Sequence, residues 1–365
     1  MKNLLFIAPL PPPITGQSLA SQALFEGIKD KYNITVINFS RKNALNRSKP
    51  SLKWIFSVLK MAFKILYHKK SINAVYFTIT QSRFGNLKDI LFLAVLGRKL
   101  LKKTIVHLHG GYFDKLYYKS PNLVKYLNKK LFKNVAFGIV LGNSLKKCLE
   151  PVINENKIKT INNFYQDYLK ISYDKFNEKW DNLTIIRVLY LSNIMTQKGY
   201  NELIEAYKKL DNNIKEQILL DFAGDFESED VKNIFFNKIK TIKNISYLGV
   251  VKSEEKKNLL HKSHIFILPT FYHIEGQPIS ILEAYASGLY VITTDQGGIC
   301  DVFKDGVNGK LIEKRSVSAI ELALNSCVKD AASLRPIAEN NLIYSKEFSS
   351  ERSVADLIRL IDEIA

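Results

Sequence analysis

Residues 268–309 read LPTFYHIEGQPISILEAYASGLYVITTDQGGICDVFKDGVNG. The short apolar run 265–268 that leads into this stretch has the length and composition of a buried strand, and a loop follows it. A helix is predicted to open at Gln277-Pro278. Proline at a first helical position lacks only an N–H that would have no partner there, and Gly288 is a natural stop. The next apolar run, 290–293, reads as another buried strand, followed by Gly297-Gly298 and then Gly306-Val307-Asn308-Gly309. Glycines at strand ends allow positive φ or close approach to a ligand. The helix N-terminus offers unpaired N–H groups and the positive end of a dipole at the mouth of a sheet, which makes it a ready anion site. Two carboxylates bracket it: Glu275 in the loop, and Glu283 about one and a half turns inside the helix. A surface helix with a proline start would explain that spacing alone, but it leaves the recurrent glycines unexplained.

Outward from this block, short apolar runs keep alternating with helical stretches. Strands are predicted at 185–191, 217–223 and 245–247, and helices at 200–210, 231–241, 253–262, 278–287 and 319–328. The first half repeats the pattern, with strands at 3–8, 34–39, 74–78, 103–108 and 136–141 and helices at 16–31, 51–69, 87–101 and 121–132. Such alternation is the signature of a doubly wound parallel sheet. It lapses at 165–182, a polar stretch dotted with aromatics that reads as an interdomain linker or a loop beside one. At 365 residues the chain is long for a single core. The expected fold class is therefore α/β, with two doubly wound, Rossmann-like parallel-sheet domains facing a cleft. These are residues 1–172 and 183–345, with a C-terminal helix in 346–365 free to pack back on the first domain. Ligands bind at the carboxyl ends of such strands.

The composition, 46% hydrophobic and 24% charged, excludes disorder, collagen and coiled coil. Cys148, Cys300 and Cys327 are odd in number and lack metal-ligand spacing, which argues against a disulfide framework and fits a reducing cytosol. The opening MKNLLFIAPL is too short in its apolar part for a signal peptide and reads as a first strand. No apolar run approaches the roughly 18 residues of a spanning helix. The net charge of +18 is uneven: residues 1–170 hold 29 Lys and Arg against 7 Asp and Glu, and the remainder 24 against 28, or +22 and −4. A basic first half suits a polyanion, whether an anionic membrane surface, a nucleic acid or a phosphate-bearing substrate. The alternative is that the basicity is compositional and has no specific partner.

The 268–309 block resembles the C-terminal domain of retaining GT-B glycosyltransferases of family 4, the glycosyl transferases group 1, of the bacterial surface-polysaccharide type. Their Glu-x7-Glu motif falls on Glu275 and Glu283. Other family features follow in order: Lys198-Gly199 in LSNIMTQKGYNELIEAY, Phe222-Ala223-Gly224-Asp225, the strand end Tyr247-Leu248-Gly249, and Gly297-Gly298. The likeness is strong over 185–312 and is carried only by loops over 1–170. It implies that Glu275 contacts the donor-sugar hydroxyls near the reacting carbon. Gly276, Gln277, Pro278 and Ile279 would close over the donor through backbone groups. Glu283 would accept hydrogen bonds from the nucleotide ribose, a task suited to an ionised carboxylate facing two hydroxyls. Lys198 would hold the diphosphate and stabilise charge on the leaving group; without the resemblance it is a solvated lysine before a helix. Two departures stand out. The usual Gly-Arg ahead of the lysine is Ser192-Asn193, so Asn193 would donate a neutral hydrogen bond or another basic residue would substitute. Asp301 also stands where the family often has Glu.

In the first half, Pro9-Leu10-Pro11-Pro12-Pro13-Ile14-Thr15-Gly16-Gln17 resembles the family's glycine loop. Gly16 would approach the ligand, and Gln17 replaces the second glycine. Read as residues alone, it is a proline-stiffened turn. His107-Leu108-His109-Gly110-Gly111 ends a strand with both histidines on one side. Two histidines without a third ligand nearby make a poor metal site; the resemblance places His109 in the active-site cleft beside donor sugar and acceptor. Leu141-Gly142-Asn143-Ser144 resembles the family's serine-containing turn before a helix, and a plain helix N-cap explains it equally well.

The resemblance implies transfer of a sugar, a hexose, from a nucleotide diphosphate-sugar to a glycan hydroxyl with retention of configuration. No Asp-x-Asp occurs, the nearest being Asp225-Phe226-Glu227. Lys198 and the helix N-terminus would then replace a divalent cation, and neither metal nor cofactor is expected beyond the donor. The sequence has no P-loop, Gly-x-Gly-x-x-Gly or Gly-x-Ser-x-Gly, so kinase, dehydrogenase and esterase readings have no support. The expected acceptor is a lipid-linked oligosaccharide at the inner face of a bacterial cytoplasmic membrane. That surface would be a partner, and nucleic acid would not. Residues 53–70, KWIFSVLKMAFKILYHKK, place Lys53, Lys60 and Lys64 near one face and Trp54, Phe56 and Phe63 elsewhere. This describes an interfacial membrane helix or a core helix with a solvated stripe. The alternative function is a catalytically silent GT-B protein acting as a partner or scaffold, and the presence of both Glu275 and Glu283 argues against it. A nucleic-acid-binding reading rests on charge alone.

Overall fold

A computed structural model of the chain describes residues 1–13, 15–40 and 51–365. It divides into two compact units. The first comprises 1–163, 274–277 and 350–365, and the second 164–273 and 278–349. The first unit thus ends ahead of residue 172, and it includes the loop around Glu275, which a reading along the chain assigns to the second domain.

The first unit is built on six parallel strands: β1 (Asn3–Ala8), β2 (Asn33–Asn38), β3 (Ala74–Ile79), β4 (Thr104–Leu108), β5 (Phe137–Val140) and β6 (Ile158–Thr160). They are ordered β2-β1-β3-β4-β5-β6. β1, β3 and β4 are buried almost throughout, as the near-continuous apolar runs require of strands covered on both faces. The order reverses between β1 and β3, so the loops leaving these strands and β4 flank the crevice where a doubly wound sheet binds ligands. The helices are α1 (Gly16–Ile28), α2 (Leu52–His68), α3 (Arg83–Leu101), α4 (Phe113–Tyr118) and α5 (Asn122–Phe132). Ser51 and Ser82 cap α2 and α3 by accepting from Trp54 N and Gly85 N. α3 packs between α2 and α5. The helix Ser350–Ile364 lies on α1, where a Cβ at Gly27 would come 2.5 Å from Val354 Cγ2. Tyr32 Oη donates to Asp362 Oδ1 at 3.0 Å, tying this helix down further.

The second unit repeats the architecture. Its strands are β7 (Ile186–Leu191), β8 (Ile218–Ala223), β9 (Ile245–Tyr247), β10 (Ile265–Leu268), β11 (Tyr290–Thr293) and β12 (Gly309–Leu311). They form a second six-stranded parallel sheet ordered β12-β11-β10-β7-β8-β9. Its helices are α6 (Tyr173–Asp181), α7 (Tyr200–Lys209), α8 (Asn212–Lys215), α9 (Glu229–Ile239), α10 (Ser253–Lys262), α11 (Ile279–Ala286), α12 (Val317–Lys329) and α13 (Leu334–Tyr344), so the helix at 350–364 is α14. The switch point lies between β7 and β10. The fold is therefore the expected α/β pair of doubly wound parallel sheets.

Two local expectations need correction. The polar stretch 165–182 is not merely linker, because α6 occupies it and buries Phe176 and Trp180. These aromatics sit four residues apart on one helical face, and Trp180 Nε1 donates to Gly288 O at 3.3 Å. The serine-containing turn at 141–144 leads not into an α-helix but into a 3₁₀ segment, Asn143–Cys148, with no side-chain cap.

Candidate active site

In the first unit, the end of β4 and the inserted loop 274–277 bring His109 and Glu275 onto adjoining segments, and Gly16 follows β1. Gly16 opens α1, whose N-terminus is closed by reciprocal hydrogen bonds between Thr15 and Ser18; Ile14 of the proline-rich loop lies outside the described residues. The backbones of 109–111 and 274–277 lie against each other. Gly111 N donates to Ile274 O at 3.2 Å. A Cβ on Gly276 would meet His109 O at 2.6 Å, and one on Gly111 would meet Glu275 O at 2.6 Å. Only glycine allows backbones this close. His109 and Glu275 are thereby held on adjoining loops, and Glu275 is buried.

The histidines form a stack. The His107 and His109 rings lie 3.9 Å apart at 30°, and His107 Nδ1 is 2.7 Å from Tyr76 Oη. Burial lowers the His109 pKa to about 4. Burial, reinforced by His109, holds His107 well below its ordinary value. Both imidazoles are therefore neutral near pH 7, so His109 can donate from one nitrogen and accept at the other. Among the described residues, no group of three or more His, Cys, Asp or Glu is placed to hold a metal ion.

Gln277 anchors the inserted loop. Its Oε1 accepts from Asn163 N at 2.6 Å, and its carbonyl accepts from Asn163 Nδ2 at 2.7 Å. Its Nε2 donates to Leu141 O at 2.8 Å. The side chain is thus committed to holding the loop, and Asn163 is a supporting residue for which the sequence offers no signal.

In the second unit, the Lys198 loop lies at the switch point between β7 and β10. Gly199 has φ +79°, and a Cβ there would meet Pro269 O at 2.2 Å, so Lys198-Gly199 is fixed against the end of β10. Phe271 N donates to Gln197 O at 2.8 Å, and His273 Nδ1 lies 2.7 Å from Gln197 Oε1. Lys198 Nζ sits 5.2 Å from the Tyr272 ring centroid, and the Arg315 guanidinium sits 4.7 Å from that of Phe271. Two cations therefore flank neighbouring aromatics, and nothing in the sequence around Arg315 marks it for this place. Asn193 lies in the loop after β7, its carbonyl accepting from Tyr190 Oη at 3.1 Å. A Cβ on Gly224 would meet Ser192 O at 1.9 Å, so the ends of β7 and β8 pack backbone to backbone. Pro278 is the residue before α11, with φ −64° and ψ 119°, and Ile279 begins the helix. This sets Pro278 one position earlier than predicted, because its ψ is extended. Glu283 is buried within α11 and paired with Lys256 of α10.

Comparison with known proteins gives this arrangement a class. Residues 174–344 match the profile of the family described as Glycosyl transferases group 1, and they constitute a domain of that kind. An uncharacterized glycosyltransferase of Methanocaldococcus jannaschii is 25% identical over 97% of this chain and 96% of its own length. The capsular polysaccharide biosynthesis glycosyltransferase CapM of Staphylococcus aureus is 24% identical over 60% of this chain and 59% of its own. Among solved structures, Anabaena HepE in complex with UDP superposes with a TM-score of 0.75 at 17% identity, over 100% of both chains. The fold is GT-B, and the family match and relatives support a glycosyltransferase activity.

Proposed function

We propose that this chain is a retaining glycosyltransferase of family 4 that moves a hexose from a nucleotide diphosphate-sugar to a hydroxyl of a lipid-linked glycan during synthesis of a bacterial surface polysaccharide. The observation that carries this reading is the pair of carboxylates, Glu275 and Glu283, buried at the two motif positions within the matched domain. Glu283 is already oriented by Lys256, and Glu275 stands on the loop ahead of the α11 N-terminus, so each carboxylate is placed where a donor's ribose or sugar hydroxyls would meet it.

In this reading Glu275 orients the donor sugar beside neutral His109, Glu283 receives the ribose, and Lys198 stabilises charge on the departing diphosphate. Retention follows from attack on the face that the leaving group vacates. The acceptor oxygen bonds to the anomeric carbon as its bond to the diphosphate breaks, and the acceptor proton passes to a diphosphate oxygen. The sequence has no Asp-x-Asp, which supports leaving-group stabilisation by Lys198 and the α11 N-terminus without a divalent cation. HepE, by its description, binds UDP, and a uridine donor is the first to try here. The capsular role named for CapM and the basic first half support a surface-polysaccharide acceptor on an anionic membrane.

Mass spectrometry after incubating the protein with a panel of nucleotide sugars and lipid-linked acceptors tests this directly. Formation of one glycosylated acceptor is expected, with NMR of that product showing the donor's anomeric configuration unchanged. No transfer and no donor hydrolysis across the panel would leave the silent-scaffold reading in its place.

A further inference from the structure

α2 has three sectors around its axis. Val58, Ala62 and Ile65 form the stripe that faces the core. At about 100° per residue, Leu52, Phe56, Leu59, Phe63 and Tyr67 fall together in a second apolar sector roughly 80° wide. That sector is turned outward: Phe56 is 71% exposed, Phe63 69% and Tyr67 82%. Lys53 and Lys60 fall beside it in a third sector, and α2 contains no acidic residue. Single exposed apolar residues are ordinary, but a continuous sector of them needs a partner. The same helical layer continues the pattern. α5, on the far side of α3, exposes Leu123 and Tyr126 among three lysines and likewise lacks an acid.

We infer that this face docks on an anionic lipid bilayer, with α2 lying in the headgroup plane. Phe56, Phe63 and Tyr67 would insert between acyl chains, and the lysines would meet lipid phosphates. Charge decides among occupants. A second copy packed by two-fold symmetry would set like lysine sectors against each other. An anionic bilayer supplies an apolar interior and negative charge at the depths the two sectors require. Among the described residues no helix is long and apolar enough to cross a membrane, so the contact is interfacial. Lys64 Nζ is turned to Val36 O at 3.0 Å, which leaves Lys53, Lys60 and Lys70 as the electrostatic contacts. The inference deepens the membrane-partner part of the reading above and rests on that part alone.

The test is co-sedimentation of the full chain with vesicles of equimolar phosphatidylglycerol and phosphatidylcholine, or of phosphatidylcholine alone. Wild type should partition onto the anionic vesicles at least about tenfold better than onto the neutral ones. High salt should weaken that binding without abolishing it, because inserted aromatics remain. Phe56→Ser/Phe63→Ser should lower partitioning about tenfold, and Lys53→Gln/Lys60→Gln/Lys70→Gln should erase the preference for anionic lipid. The substituted side chains are exposed, and unchanged circular dichroism and UDP binding would show that both variants fold. Equal pelleting with both lipids, or an aromatic variant that pellets like wild type, overturns the inference. So does a lipid-free dimer that Phe56→Ser/Phe63→Ser dissolves. Vesicle binding by a chain that turns over no donor would sustain the docking inference and count only against the sugar chemistry.

Discussion

Lys256 Nζ lies 2.5 Å from Glu283 Oε1, with the lysine side chain 12% and the glutamate 3% exposed. The two residues come from neighbouring helices, α10 and α11, and the lysine occupies one of the two carboxylate oxygens. A ribose would then meet a carboxylate already oriented by its counter-ion. Removing one member of a buried pair leaves the other charged and unpartnered, which is more costly than losing both. Lys256→Met should therefore destabilise the protein by about 2–3 kcal/mol in urea unfolding and raise the donor KM more than it lowers kcat. Lys256→Met/Glu283→Gln should recover most of the lost stability but not the donor affinity. Wild-type stability in Lys256→Met would show that the pair is not coupled.

Glu275, unlike Glu283, stands on a loop that belongs to the first unit although it lies between β10 and α11. Glu275→Ala removes a carboxylate and leaves the glycine-lined approach of 109–111 and 274–277 intact. Turnover should fall about a hundredfold or more while nucleotide diphosphate binding, read by calorimetry, stays near wild type. Gly276→Ala should lose activity by another route, since its new Cβ would lie 2.6 Å from His109 O and force the two loops apart. Near-normal turnover in Glu275→Ala would remove the residue from the chemistry.

The stacked histidines set an acid limit on stability. Burial lowers His109 from 6.5 to about 4 and moves His107 in the same direction. Below pH 6.5 the unfolded chain takes up protons that the folded chain refuses, so stability rises with pH through this window. The contribution is complete above about 6.5 and is lost as pH falls toward 4. His109→Gln should flatten the pH dependence of the urea midpoint between those values, whatever its effect on absolute stability. A slope unchanged from wild type would mean that His109 titrates normally.

Much of the fold was legible because parallel strands covered on both faces leave unbroken apolar runs, as at 74–78 and 265–268. The candidate site was legible where backbone geometry demands a particular residue: Gly199 at positive φ against Pro269, and Gly276 against His109. What escaped was whatever depends on distant partners. Asn163 is ordinary until Gln277 bonds to it, and Lys256 is one lysine among many until it meets Glu283. α6 was hidden because its polar face outweighs Phe176 and Trp180 in composition, although those two alone meet the core. α2 was ambiguous for the opposite reason: periodicity shows two apolar sectors and cannot tell which one faces inward.

One departure from the family pattern, Asn193 in place of an arginine, directs attention to Arg315. Lys198 and Arg315 rest on Tyr272 and Phe271, adjacent residues of the loop that leaves β10 at the switch point of the second sheet. A leaving diphosphate gains negative charge as the sugar departs, and cations placed beforehand stabilise that change more than they stabilise the bound donor. Lys198→Ala should therefore reduce kcat by several kcal/mol in barrier terms, on the order of a hundredfold or more. If Arg315 supplies the second cation, Arg315→Gln should lower kcat about tenfold, and Asn193→Arg in that background should restore part of the loss. Activity should persist in excess EDTA, since in the proposed reading these side chains and the α11 N-terminus would take the place of a divalent ion. Initial rates of the variants, with and without EDTA, decide the matter. Loss of wild-type activity in EDTA that Mg²⁺ or Mn²⁺ restores would overturn the metal-free account, and an Arg315→Gln enzyme as fast as wild type would leave Lys198 without this second cation.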